Sequence, residues 1–155
     1  MQVAADSFET FFDEHYESVF QTLAVALREP LVAEEATRAT FARGYARWAR
    51  IRHLERPGAW LHVTATRIAL RRERFQPSAA TAEPDTVERA IEELTPRERF
   101  ALVLHHQAGL SWREIGRALR CSPEAAASTL REAHRCLGIE PDDDDIPEVE
   151  LDDAD

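Results

Sequence analysis

Lysine is absent from this sequence, so each of its nineteen cations is an arginine. Every basic contact it offers is therefore a planar guanidinium fork, which suits bidentate pairing with phosphates. Cysteine is nearly absent too. Cys121 and Cys136 are too few for a disulfide framework and lack CxxC spacing, so a small buried thiol is the ordinary reading of each. Five glycines include no phosphate-cradling loop, and no Ser/His/Asp or HxxxH arrangement is present. The adjacent pair His105-His106 would point about 100° apart on a helix, which keeps them out of one ligand set. These absences predict a protein that is not an enzyme and has neither metal nor cofactor. No run approaches the ~18 apolar residues of a membrane span, so membrane insertion is not expected. The leading segment MQVAADSFETFFDEH is acidic where a secretory signal would be basic, which points to a cytoplasmic location. Nothing alternates with the period of a strand.

What is present is charge, unevenly placed. The net charge of −10 comes from the end of the chain, because residues 138–155 hold ten acids and no base. Residues 1–137 are neutral, with nineteen acids against nineteen arginines. That body is itself polarised: residues 1–35 carry eight acids and one arginine, and residues 36–75 carry ten arginines and two acids. A segment of charge +8 inside an acidic protein marks a local polyanion site.

Residues 94–137, LTPRERFALVLHHQAGLSWREIGRALRCSPEAAASTLREAHRCL, contain three helix starts. Thr95-Pro96-Arg97-Glu98 and Ser111-Trp112-Arg113-Glu114 have capping-box form, and Ser122-Pro123 opens a third helix that Gly138 can end. Only Arg120-Cys121-Ser122 remains for the turn between the second and third. Two short helices joined so tightly must cross steeply, as in a helix-turn-helix. Ile115 and Leu119 form the inner edge of one. Ala126, Leu130, Ala133 and Leu137 form that of the other, with Gly116 and Ala126 small enough for close approach.

Upstream, Asp6-Ser7-Phe8-Glu9 caps a helix that follows Phe8, Phe11, Phe12, Val19, Phe20, Leu23 and Leu27 up to Pro30. A second helix is expected over 31–50, with Ala36, Phe41, Tyr45 and Trp48 inward. A third is expected from Pro57 to about Arg74, with Trp60 and Ile68 buried. The stretch FQPSAATAEPDT has the composition of a linker. The expected layout is all-α: a helical domain over 1–74, a linker over 75–86, a helix-turn-helix domain over 87–137 and an acidic tail over 138–155 too poor in apolar residues to fold alone.

With both halves laid out, the chain resembles an extracytoplasmic-function sigma factor of the sigma-70 family. The resemblance covers residues 8–137. AEEATRATFARGYARW (33–48) is similar to the region 2 helix that binds polymerase, and RPGAWLHVTATRIALRRER (56–74) to the helix that faces the minus-ten element. Residues 94–130 are similar to region 4, which reads the minus-thirty-five element. The most specific matches are Pro57 with Ala59-Trp60-Leu61, and Leu110-Ser111-Trp112-Arg113-Glu114-Ile115.

The resemblance implies a transcription initiation factor with core RNA polymerase, promoter DNA and an anti-sigma factor as partners. It assigns polymerase contact to Glu34, Glu35, Arg38, Phe41 and Trp48. Minus-ten contact falls to Arg50, Arg52, His53, Arg56, Arg67, Arg71, Arg72 and Arg74. Minus-thirty-five contact falls to Ser122, Ala125, Ala127, Ser128, Thr129, Arg131 and Arg135. Arginines suit an opened strand, since they pair with its phosphates and stack on its bases. Departures stand at Arg38 and Ala39, where the family has glutamine and glutamate, and at Arg67, where it has asparagine. Two commonly basic positions of the recognition helix are Ala127 and Thr129. The competing expectation is a sigma-like regulator that acts through protein partners without recognising DNA by itself.

Overall fold

A computed structural model of the protein describes residues 7–73 and 86–140, without the side chains of residues 73 and 86–89. Its elements are all helices: α1 (Phe8–Leu27), α2 (Pro30–Ala46), α3 (Trp48–Ile51), α4 (Pro57–Glu73), α5 (Thr86–Glu93), α6 (Pro96–His106), α7 (Trp112–Leu119) and α8 (Pro123–Leu137). No strand occurs among the described residues, so the all-α class holds. No described helix is long and apolar enough to cross a membrane.

Side-chain caps start four of the helices. Ser7, Thr95, Ser111 and Ser122 each accept a hydrogen bond from the backbone amide three residues on, and Ser111 with Glu114 completes the reciprocal capping box. Gly138, at φ +70°, ends α8 in the left-handed conformation that glycine adopts without penalty. Buried Thr37, Thr40 and Thr66 donate to the carbonyl oxygens of Ala33, Ala36 and His62, so each of these three hydroxyls keeps a partner in the interior.

The second helix is shorter than its sequence suggests. The chain leaves helical geometry at Arg47 and restarts as α3, which lets the Trp48 ring lie 4.9 Å from that of Phe11. Along α2 the packed positions are Ala33, Ala36, Thr37, Thr40, Phe41 and Gly44. Tyr45 falls one residue beyond that stripe and is 71% exposed rather than inward, with its ring 5.3 Å from that of Phe8 in an edge-to-face arrangement. Ile68 is buried as expected, whereas Trp60 is only half-buried.

The two halves are closed on each other. One apolar cluster runs from Phe11, Leu23 and Leu61 through Phe100, Leu104 and Ile115 to Leu130. Helices α1 and α4 of the first half pack on α6 and α7 of the second. Polar ties cross the same boundary. The Arg99 guanidinium, 7% exposed, donates to the carbonyl of Ala26 at 2.6 Å and to that of Leu94 at 2.7 Å. Arg28 and Glu92 approach to 3.9 Å. Residues 75–85 of the expected linker and 141–155 of the expected tail lie outside the described residues.

Candidate nucleic-acid interface

Helices α7 and α8 form the steep pair that the sequence implies. Arg120 ends α7 in the left-handed region at φ +58°, and Ser122 caps α8 two residues later. A glycine is required at position 116. A Cβ there would stand 2.7 Å from the Cys121 carbonyl oxygen and 3.3 Å from the Pro123 nitrogen, so any side chain pushes the turn apart. Cys121 is half-buried at this turn, but Cys136 is exposed on α8, which corrects the reading of both as buried thiols.

The outer face of α8 carries few cations. The Ser122 hydroxyl accepts the Ala125 amide in its cap, and Thr129 donates to the Ala125 carbonyl at 3.0 Å. Arg131 reaches Ser128 at 3.4 Å, and Arg135 pairs with Glu132 at 3.0 Å. Ala127 is not on this face. It is fully buried beside Ala126, Leu130 and Ala133 against the rest of the half, so its expected contact with DNA is corrected to a packing role. The small side chain is what lets α8 approach that closely.

On the first half, the candidate residues separate into three settings. Phe41 is buried at 3% exposure, with its ring 4.9 Å from Phe12 and 5.6 Å from Tyr16. Its expected polymerase contact is therefore corrected: it holds α2 on α1. Trp48 is half-buried. Glu34 pairs with Arg38 at 2.7 Å on the exposed side of α2, and Glu35 accepts from Arg72 at 3.1 Å, so Arg72 turns toward α2 and away from the other arginines of α4. Arg52 and His53 are exposed between α3 and α4, and Arg74 lies outside the described residues.

Arg50, Arg67 and Arg71 come together in one cavity, and three arginines that sequence reasoning did not single out join them: Arg43, Arg47 and Arg120. Arg43, Arg47 and Arg50 fall at i, i+4 and i+7, a spacing that would have shown their shared face. Arg120 carried no such signal, because it reaches the cavity from the other half. Burial, and then the charges of Arg120 and Arg117, lower the Arg67 guanidinium from its ordinary value. Its Nε donates to the Arg117 carbonyl at 2.9 Å, while Arg56 pairs with Glu114 and reaches the Gly109 carbonyl at 3.4 Å. The face of α4 expected to meet DNA is thus partly occupied by α7.

Below it lies a buried histidine. His62 Nδ1 is 3.0 Å from the Gly58 carbonyl, which can only accept, so the proton sits on Nδ1 and Nε2 faces the Ser18 hydroxyl at 3.4 Å. Burial pushes this imidazole below its usual range, partly opposed by those hydrogen bonds. Among the described residues no three metal-ligating side chains converge.

Residues 85–137 match the family Sigma-70, region 4. This segment is similar to region 4 of the sigma-70 family. It takes in α5 to α8 and so includes the helix-turn-helix and its Gly116 turn. Among solved structures, four chains match. One, described as the RsbN–BldN complex, is 22% identical, covers 86% of this chain and 91% of its own, and superposes with a TM-score of 0.39. At that similarity no residue is carried over from it. No curated protein matches the sequence.

Proposed function

We propose that the protein is a sigma factor of the extracytoplasmic-function type, which binds core RNA polymerase and directs it to promoter DNA. The observation that carries this reading is region 4 at residues 85–137, in the same chain as an arginine-lined helix α4. In this reading the N-terminal end of α8 meets base edges in the major groove at the minus-thirty-five element. Its weak complement of free cations makes that contact light, and the larger electrostatic share falls to Arg50, Arg52, Arg56, Arg67 and Arg71 at the opened minus-ten strand. Glu34, Glu35, Arg38 and Trp48 form the polymerase-binding side. An anti-sigma factor would act in the cytoplasm by holding the two halves away from DNA.

Promoter engagement requires the halves to separate, because Arg56 and Arg67 are engaged by α7 in the closed arrangement. Run-off transcription with purified core polymerase and a library of promoter fragments tests the proposal. Transcripts from a restricted subset are expected. Polymerase binding without any transcript would overturn it in favour of a regulator that works through protein partners.

A further inference from the structure

The cleft between the halves has cationic walls that come from both of them. Arg43, Arg47 and Arg50 reach it from α2, the break at Arg47 and α3, Arg67 and Arg71 from α4, and Arg120 from the turn before α8. Its volume is about 300 Å³, and among the described residues no carboxylate lines it. A second cavity of about 250 Å³ shares Arg67, Arg71 and Arg120 and adds Arg97 of α6. None of these seven arginines is paired with a carboxylate among the described residues. Elsewhere on the same surfaces Arg38, Arg56, Arg72 and Arg135 have each found one.

Like charges gathered across a domain boundary oppose closure, and a multivalent anion relieves that opposition. Guanidinium forks match phosphoryl oxygens two by two, and several forks around one cavity favour a chain of phosphates over a single one. The volume lies at the small end of ligand sites and is far too narrow for a duplex. Ile51, Leu54 and Trp60 form an apolar wall beside the arginines, against which a base can rest.

We infer that this cleft binds a small polyphosphate anion, either pyrophosphate or the phosphate chain of a nucleotide, and that the anion joins the two halves. Because Arg120 belongs to the second half and the other five arginines of the first cavity to the first, the site is complete only when the protein is closed. Occupancy therefore favours the closed arrangement by linkage. Arg67 and Arg71 are also the side chains proposed for the minus-ten strand, so anion and promoter exclude each other. That consequence rests on the sigma-factor reading, whereas the binding itself does not.

Calorimetric titration of the full chain with pyrophosphate, ATP and sulfate, at fixed ionic strength in phosphate-free buffer, tests the binding. One site per chain is expected, with pyrophosphate and ATP binding at least about tenfold tighter than sulfate. Arg47→Gln and Arg120→Gln should each weaken pyrophosphate about tenfold, the usual effect of losing one charge-assisted contact. Arg131→Gln, outside the cleft, should leave it unchanged. Equal affinity of ATP and pyrophosphate would locate recognition in the phosphates, and tighter ATP would add the apolar wall; either supports the site. The inference is overturned if sulfate equals pyrophosphate. It is also overturned if both cleft variants, folded by circular dichroism, keep full affinity. The titration contains neither DNA nor polymerase, so failure of the transcription reading would leave its result standing.

Discussion

Arg99 Nε lies 2.6 Å from the carbonyl oxygen of Ala26, a residue seventy-three positions earlier in the chain. Ala26 is in the last turn of α1, where carbonyls lack helical partners and the helix dipole is negative. A buried arginine of the second half thus completes a helix end of the first, and its second bond, to Leu94, ties it to its own half.

Removing that arginine should loosen closure. Arg99→Met keeps most of the packing volume but leaves two buried carbonyls without this donor, a loss of about 1–3 kcal/mol. A lower denaturation midpoint and a larger radius of gyration by small-angle scattering are expected. An unchanged radius would show that the apolar contacts alone hold the halves together.

The turn of the helix-turn-helix should tolerate nothing larger than glycine at position 116. With a Cβ 2.7 Å from the Cys121 oxygen, Gly116→Ala must displace backbone, at a cost of about 1–3 kcal/mol typical of overpacked sites. Thermal unfolding of the variant measures this, and a variant as stable as the parent would refute the close approach.

Acid should weaken the first half through His62. Its imidazole is held below the ordinary value of 6.5, so the unfolded chain takes up a proton more readily than the folded one. Stability from this group is fully present above about pH 6.5. It is lost as pH falls below that value and levels off beneath the folded pKa. His15, lowered chiefly by burial, acts in the same direction. Chemical denaturation from pH 7.5 to 5 should show the decline, and His62→Gln should flatten it. An equally steep decline in the variant would exclude His62 as its source.

Adding charge to α8 should have opposite effects at two neighbouring sites. Thr129→Arg places a cation at a partly exposed position, so DNA affinity and its salt dependence should both rise. Ala127→Arg forces a guanidinium into a fully buried site and should unfold the second half instead. Fluorescence anisotropy with duplex DNA, run alongside circular dichroism, separates the outcomes. A folded Ala127→Arg protein with tighter DNA binding would return that residue to the outer face.

Much of the secondary structure was legible in the sequence because its signals are local. Ser111 and Glu114 cap a helix wherever that helix packs, and Ser122-Pro123 after Arg120-Cys121 leaves room only for a tight turn. Apolar spacing likewise identified the inner edges of α7 and α8 and most of α1. Periodicity worked less well where a face is crowded with alanine and threonine. Ala127 and Tyr45 lie next to packed positions, and only the direction from which the neighbouring helix arrives decides which side of the boundary each takes.

The tertiary structure alone decided how the halves meet. The tie from Arg99 to Ala26, the pairing of Arg56 with Glu114 and the arrival of Arg120 among the arginines of α2 and α4 join residues forty-nine or more positions apart. No periodicity or cap encodes such pairings, because they depend on the shapes of two finished surfaces. Composition showed that residues 36–75 are strongly cationic. Closure determined which of those cations are matched by carboxylates or carbonyls and which remain gathered around a cleft, since a long side chain finds its partner only after the helices that carry both are in place.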